Sequence, residues 1–190
     1  MTKTDHNKVR PIAGDGSSTG VERYRLIKAA FAHVQQSIRN GHHLEAITVL
    51  ESILTDRLGS MVHGALGGKV TLKDTLGTLV RLAKESPKGV KAHRAPFPDD
   101  VIGFLTGELF YWWQRRNTAV HGMAKLQNVG DATFQERYAK LSATALEGVR
   151  VLLKLDFYDQ RERRKNRAGP SATHPDALRL DSDIKKLIPS

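Results

Sequence analysis

Between Val101 and Trp113 the chain carries a single ionisable carboxylate, Glu108, and five aromatic residues in the last ten positions, Phe104, Phe110, Tyr111, Trp112 and Trp113. Ile102, Leu105, Leu109 and Trp112 recur at three- and four-residue steps, the repeat of one face of an α-helix, and Arg116 takes the next position on that stripe. A segment with this spacing has to fold as a helix inside a helical core. The arginine continues a core stripe, and the polar stretch Arg115-Arg116-Asn117-Thr118-Ala119-Val120-His121-Gly122 ends the run. The rest of the chain reads as a holder for it.

On that helix Trp113, Asn117 and His121 follow one another at four-residue intervals, so Asn117 and His121 share a face beside the Arg116 stripe. Gly122 offers a stop, which puts His121 in the last turn, where the helix macrodipole favours the imidazolium. A histidine so placed can give or take a proton at cellular pH. Arg116, always charged and with five donors, suits a phosphate held beside it. An arginine, an amide and a histidine with no carboxylate cluster or cysteine nearby point to phosphodiester chemistry that needs no metal and no cofactor.

The pattern Arg116-Asn117-x-x-x-His121 resembles the R-x4-6-H signature of the HEPN family, including the polar residue directly after the arginine. The segment Ala46 to Leu58 resembles the long second helix of that family, and Thr75-Leu76-Gly77-Thr78-Leu79 its mid-region. The resemblance implies a small all-α bundle that forms a homodimer, and a metal-independent endoribonuclease of toxin–antitoxin, CRISPR or anti-phage type. It implies that two copies of Arg116 and His121 meet in one cleft, where the RNA 2′-hydroxyl attacks the adjacent phosphate. Arg116 would steady that phosphate, Asn117 would orient it or the histidine, and His121 would act as base or acid. RNA, tRNA included, is then the substrate, and a cognate antitoxin or defence-system component the further partner. The tyrosine that nucleotidyltransferase antitoxins modify two residues after the histidine is Met123 here, so silencing by that route is not expected. The alternative is a non-catalytic module of the same kind that binds nucleic acid or assembles a complex.

Charge supports a polyanionic partner. The net charge is +10 with eight histidines uncounted, at a pI of about 10. With 190 residues, 39% of them hydrophobic, the chain can bury one core. The absence of cysteine excludes disulfides, thiolate zinc sites and cysteine catalysis. No signal peptide or membrane-spanning run is seen, and a cytoplasmic location is expected. His42 and His43 are adjacent rather than four apart, which argues against a metal site.

Three regions are expected: a flexible leader at 1–20, a helical domain at 21–158 and a basic tail at 159–190. No segment alternates with period two, so the fold class is all-α, a bundle of about five helices with a two-fold dimer contact. The first helix spans Val21 to Asn40 with Tyr24, Ile27, Phe31, Val34 and Ile38 inward and Asn40-Gly41 as its stop. The second opens near His42 and turns Leu44, Ile47, Leu50, Ile53, Leu54, Leu58 and Met61 inward. Glu51 lies within that face, where it either directs Arg116 or Arg115 or forms a structural ion pair. Arg57 and His63, which also fit the R-x4-6-H spacing, are read as rim residues. After a glycine-rich loop at 64–72, a third helix runs from Thr71 to Glu85; Gly77 either lets a neighbour approach or weakens it.

A basic loop from Ser86 to Pro98 follows, with Lys88, Lys91 and Arg94 as phosphate contacts or as solvated connector. Asp99 or Asp100 is the expected N-cap of the central helix. A turn through Asn128-Val129-Gly130-Asp131 leads to the last long helix, to about Tyr158, with Phe134, Tyr138, Leu141, Ala145, Val149, Leu152 and Leu153 inward. Arg163, Arg164 and Lys165 belong to a basic run that either caps this helix in solvent or grips RNA. Ile184 to Ile188 is an amphipathic fragment that docks on the body or on a partner. The aromatic residues Phe104 to Trp113 cover more of the central helix than one bundle needs, which calls for a second chain there.

Overall fold

The computed structural model describes residues 18–66, 74–85, 97–124, 133–166 and 178–188. Among them the fold is all-α. Helix α1 spans Ser18–Arg39, α2 His43–Leu66, α3 Leu76–Lys84, α4 Asp99–Phe104, α5 Phe110–Ala124, α6 Phe134–Asn166 and α7 Ser182–Leu187. A π-helical turn, Leu105–Leu109, joins α4 to α5, so these form one rod. No described helix is long and apolar enough to cross a membrane.

α2 lies at the centre, packed against α1, α3 and α6, and the α4–α5 rod packs on α6. The expected stripe of α1 is buried from Tyr24 to Ile38, and that of α2 from Ile47 to Met61. The α1–α2 connection is a tight reversal. Gly41 adopts φ +77°, its N–H donates to the Ile38 carbonyl at 3.1 Å, and the His42 N–H donates to Ser37 at 2.8 Å, a Schellman stop. The Tyr138 hydroxyl donates to the Gly41 carbonyl and ties α6 to this corner. At the start of α6, Thr133 and Glu136 cap each other's backbone N–H groups, at 2.6 and 3.2 Å.

Trp112, fully buried, closes the contact between the rod and α6, where its indole N–H donates to the Thr144 carbonyl at 2.9 Å. Trp113 lies on Gly77 of α3; a Cβ there would stand 3.3 Å from the ring, so the glycine serves close approach. Phe104 is buried beside Tyr158, and Phe110 and Trp113 pack on the core. The aromatic girdle is thus largely covered within one chain, and Tyr111, 60% exposed, is the residue of it left open.

Several boundaries differ from expectation. α1 already begins at Ser18, inside the expected leader, and α6 continues eight residues past Tyr158, so 159–166 is helix rather than tail. The rod does not stop at Gly122 but runs to Ala124. Its N-cap is Pro98; Asp99 and Asp100 stand in the first turn, where Asp100 receives Arg161 of α6. That hydrogen bond holds the Asp100 carboxyl below its ordinary range. α3 starts later than expected, at Leu76, with the Thr75 hydroxyl accepting from Thr78 N–H. Leu44 and Phe134, expected inside, are exposed near helix beginnings, with Phe134 stacked on Tyr138 at 6.3 Å between ring centroids, and Leu153 is half-buried.

The largest departure is Arg57. It is no rim residue: its side chain is 1% exposed, ion-paired with Asp156 and Asp159 of α6 and placed 5.5 Å over the Tyr24 ring. Arg163 donates to Asp159 at 2.8 Å, Gln160 to Asp156 at 2.8 Å, and the Leu178 N–H to Asp156 at 3.2 Å. The C-terminal segment docks on this chain's own body. Leu178 and Ile184 are buried, the Asp181 N–H donates to Gln35 at 2.7 Å, and Arg39 pairs with Asp181.

Candidate functional site

Because Arg116 follows Trp112 by one turn, it leaves the rod on the side that faces α2, and its guanidinium meets the carboxylate of Glu51. Glu51 therefore pairs with Arg116 and not with Arg115, which instead pairs with Glu147 of α6. A second Arg116 nitrogen, Nη1, donates to the side-chain amide oxygen of Asn117, Oδ1, at 2.9 Å. Nε of Arg116 is buried with no hydrogen-bond partner. The arginine is thus held by α2 on one edge and by its own neighbour on the other, with its side chain 19% exposed. With Nε shut off by burial, one N–H on each terminal nitrogen is left unused by these two contacts, which is what an anion could take.

His121 is exposed. At 3.6 residues per turn it stands about 40° from Asn117 around the rod and about 140° from Arg116. The structure therefore brings together Arg116, Asn117 and Glu51 and places His121 next to Asn117, while Arg116 and His121 point in different directions from one chain. Arg137 of α6 donates to the Gly122 carbonyl at 2.9 Å and fixes the rod's end just beyond the histidine.

The expected phosphate contacts fare differently. Lys88, Lys91 and Arg94 lie outside the described residues, as does the 128–131 turn, and Arg164 and Lys165 are described only as backbone of α6. Arg163 is committed to Asp159, so it closes the buried ionic cluster instead of reaching outward. Glu45, in the first turn of α2, takes His33 at 2.8 Å and approaches His42 at 3.6 Å; this carboxylate beside the paired histidines was not expected. The hydrogen bond from His33 is the main reason that the Glu45 carboxyl lies below its ordinary range. His43 is packed against Tyr138 with ring centroids 5.0 Å apart, and burial first, then neighbouring His42, pushes its pKa down.

Sequence reasoning missed the outer face of the rod. An open groove of about 800 Å³ runs between the rod and α6, lined on the rod by Gly107, Tyr111, Gln114, Arg115 and Thr118 and on α6 by Arg150 among others. The signal was the solvent side of the same helix: Tyr111, Gln114, Thr118 and His121 recur at alternating three- and four-residue steps. Comparison with family models, curated proteins and solved structures finds nothing that matches this chain.

Proposed function

We propose that the protein is a metal-independent endoribonuclease of the HEPN type, working in the cytoplasm as a homodimer, as a toxin or in anti-phage defence. The observation that supports this reading is the pair Arg116–Asn117, anchored by Glu51 and followed one turn later by exposed His121 at the rod's end. In the reaction one His121 takes the proton of the RNA 2′-hydroxyl, whose oxygen attacks the adjacent phosphorus. The bond to the 5′-oxygen breaks, that oxygen takes a proton through water from the imidazolium just formed, and a 2′,3′-cyclic phosphate and a 5′-hydroxyl result. Arg116 neutralises the charge gathering on the phosphate.

The test is purified wild type, His121→Ala and Arg116→Ala with bulk tRNA and with single-stranded RNA in excess EDTA. Wild type should cleave, leaving cyclic phosphate, and each variant should lose about 10²–10⁴-fold in rate, with His121→Ala keeping the wild-type melting curve. Undiminished cleavage by both variants would refute the assignment. A second reading, a non-catalytic module that binds nucleic acid or assembles a complex, is favoured by one observation: Arg116 is already ion-paired with Glu51. It predicts RNA binding by all three proteins and cleavage by none.

A further inference from the structure

We infer that the groove between the rod and α6 is a subsite for an unpaired RNA base, with Tyr111 as its stacking platform, delivering the strand to His121. The inference rests on the ribonuclease reading for what happens at His121, but the groove is argued from its own features. Tyr111 is the exposed member of an otherwise covered set of aromatic residues, and it lies in the groove rather than on open surface. Beside it stand Gln114 and Thr118, both exposed, with the Thr118 hydroxyl donating to the Gln114 carbonyl at 3.2 Å. That bond leaves the Gln114 side-chain amide available, with donors and an acceptor that match the edge of a base.

The walls carry two carboxylates and two cations, Glu108 and Glu147 against Arg115 and Arg150, with Arg115 paired to Glu147. A balanced polar trough with an aromatic side suits the neutral base more than the phosphate. The backbone of a bound strand would lie along the rim, where Arg150 is exposed. Continuity with the proposed site is geometric. His121 follows Gln114 by seven residues, which returns it to within about 20° around the helix and about 10 Å further along. Tyr111 itself stands about 80° around the helix from His121 and about 15 Å before it, so a strand with one base on Tyr111 reaches His121 by way of Gln114. Paired RNA, whose bases are already stacked on one another, has no face to offer the tyrosine.

The experiment measures binding of the full chain to single-stranded 2′-O-methyl oligoadenylate and oligouridylate, which cannot be cleaved because the attacking hydroxyl is blocked. Duplex RNA of the same length is the control. Wild type, Tyr111→Ala and Tyr111→Phe are compared, each also assayed for cleavage of unmodified RNA and for sedimentation. The Tyr111→Ala protein should bind the single strand about tenfold more weakly, the loss expected from one base stack. Tyr111→Phe, which keeps the ring, should bind within about twofold of wild type, and duplex binding should not change with either substitution.

Equal single-strand affinity of Tyr111→Ala and wild type overturns the subsite, and if wild type still cleaves, the ribonuclease reading survives that result. Tyr111-dependent binding with no cleavage by wild type keeps the subsite and removes the ribonuclease reading. A change in sedimentation of Tyr111→Ala with unchanged RNA affinity would assign the groove to a second copy of the chain and refute the inference.

Discussion

Replacing Arg57 by methionine should unfold this protein more readily than any surface substitution, for reasons that follow from charge counting. Arg57 and Arg163 face Asp156 and Asp159, two cations against two carboxylates, and the side chains of Arg57 and both aspartates are at most 3% exposed. Removing Arg57 leaves two buried carboxylates sharing Arg163. Breaking a buried pair by deleting one partner costs about 3–5 kcal/mol. For a domain of this length each kcal/mol moves Tm by roughly 2–4 °C, so Arg57→Met should melt about 10 °C lower. Nε and Nη1 of Arg57 are buried without hydrogen-bond partners, so the intact cluster is itself imperfect. The triple variant Arg57→Met, Asp156→Leu, Asp159→Leu should therefore recover most of the loss. Circular-dichroism melts of the three proteins decide it. A single variant that melts within about 2 °C of wild type, or a triple variant that melts no higher than the single one, would refute the charge argument.

Two further predictions concern packing and acid. At Gly148 a Cβ would stand 2.8 Å from the Trp112 ring, which is fully buried and held by Thr144; Gly148→Ala should cost about 1–3 kcal/mol despite the gain in helix propensity, whereas Gly103→Ala, with nothing within 4 Å, should raise Tm slightly. Paired melts of the two variants check the sign of each. His43 is kept neutral by burial, so its folded pKa lies below the unfolded value of about 6.5; the stability it contributes is present above that pH and lost as pH falls through it toward the folded pKa. His43→Gln should flatten the fall in Tm between about pH 7 and pH 5, and an unchanged slope would show that His43 does not titrate on unfolding.

How much the sequence revealed depended on whether a residue's partners lay on its own helix. The stripe of α1, that of α2 from Ile47 onward and the Gly41 stop follow from spacing and from glycine's lack of a side chain, and they stand where expected, while the two readings of Gly77 are decided by Trp113 lying on it. Arg57 was misread because its partners sit 99 and 102 positions away in sequence, on α6; nothing in its own helix announces two buried carboxylates. Asp99 and Asp100 are not the cap because the helix begins one residue earlier than expected, after Pro98, and Asp100 pairs instead with Arg161, 61 positions away on α6. Of the candidate site, the pairing of Glu51 with Arg116 was open between two arginines, and only the packing angle of α2 against the rod selects Arg116. The π turn gave no sequence signal, since its residues, Leu105-Thr106-Gly107-Glu108-Leu109, also fit an ordinary helix.

The rod's geometry limits what one chain can do with these residues. Arg116 and His121 are five residues apart, and a helix turns them about 140° from each other. The arginine is directed toward α2 by a core stripe it inherits from Trp112, and Glu51 holds it there. A phosphate contacting Arg116 therefore lies on the α2 side of the rod, while a proton moved by His121 lies nearer the groove. Asn117, 40° from the histidine and bonded to the arginine, stands between the two. If the ribonuclease reading holds, a single chain has either to bend the strand across Asn117 or to borrow the histidine of a second copy. The two cases separate by mixing Arg116→Ala with His121→Ala. Subunits that share a site should restore about a quarter of the activity, one intact composite site among the random pairings, and subunits that act alone should restore none.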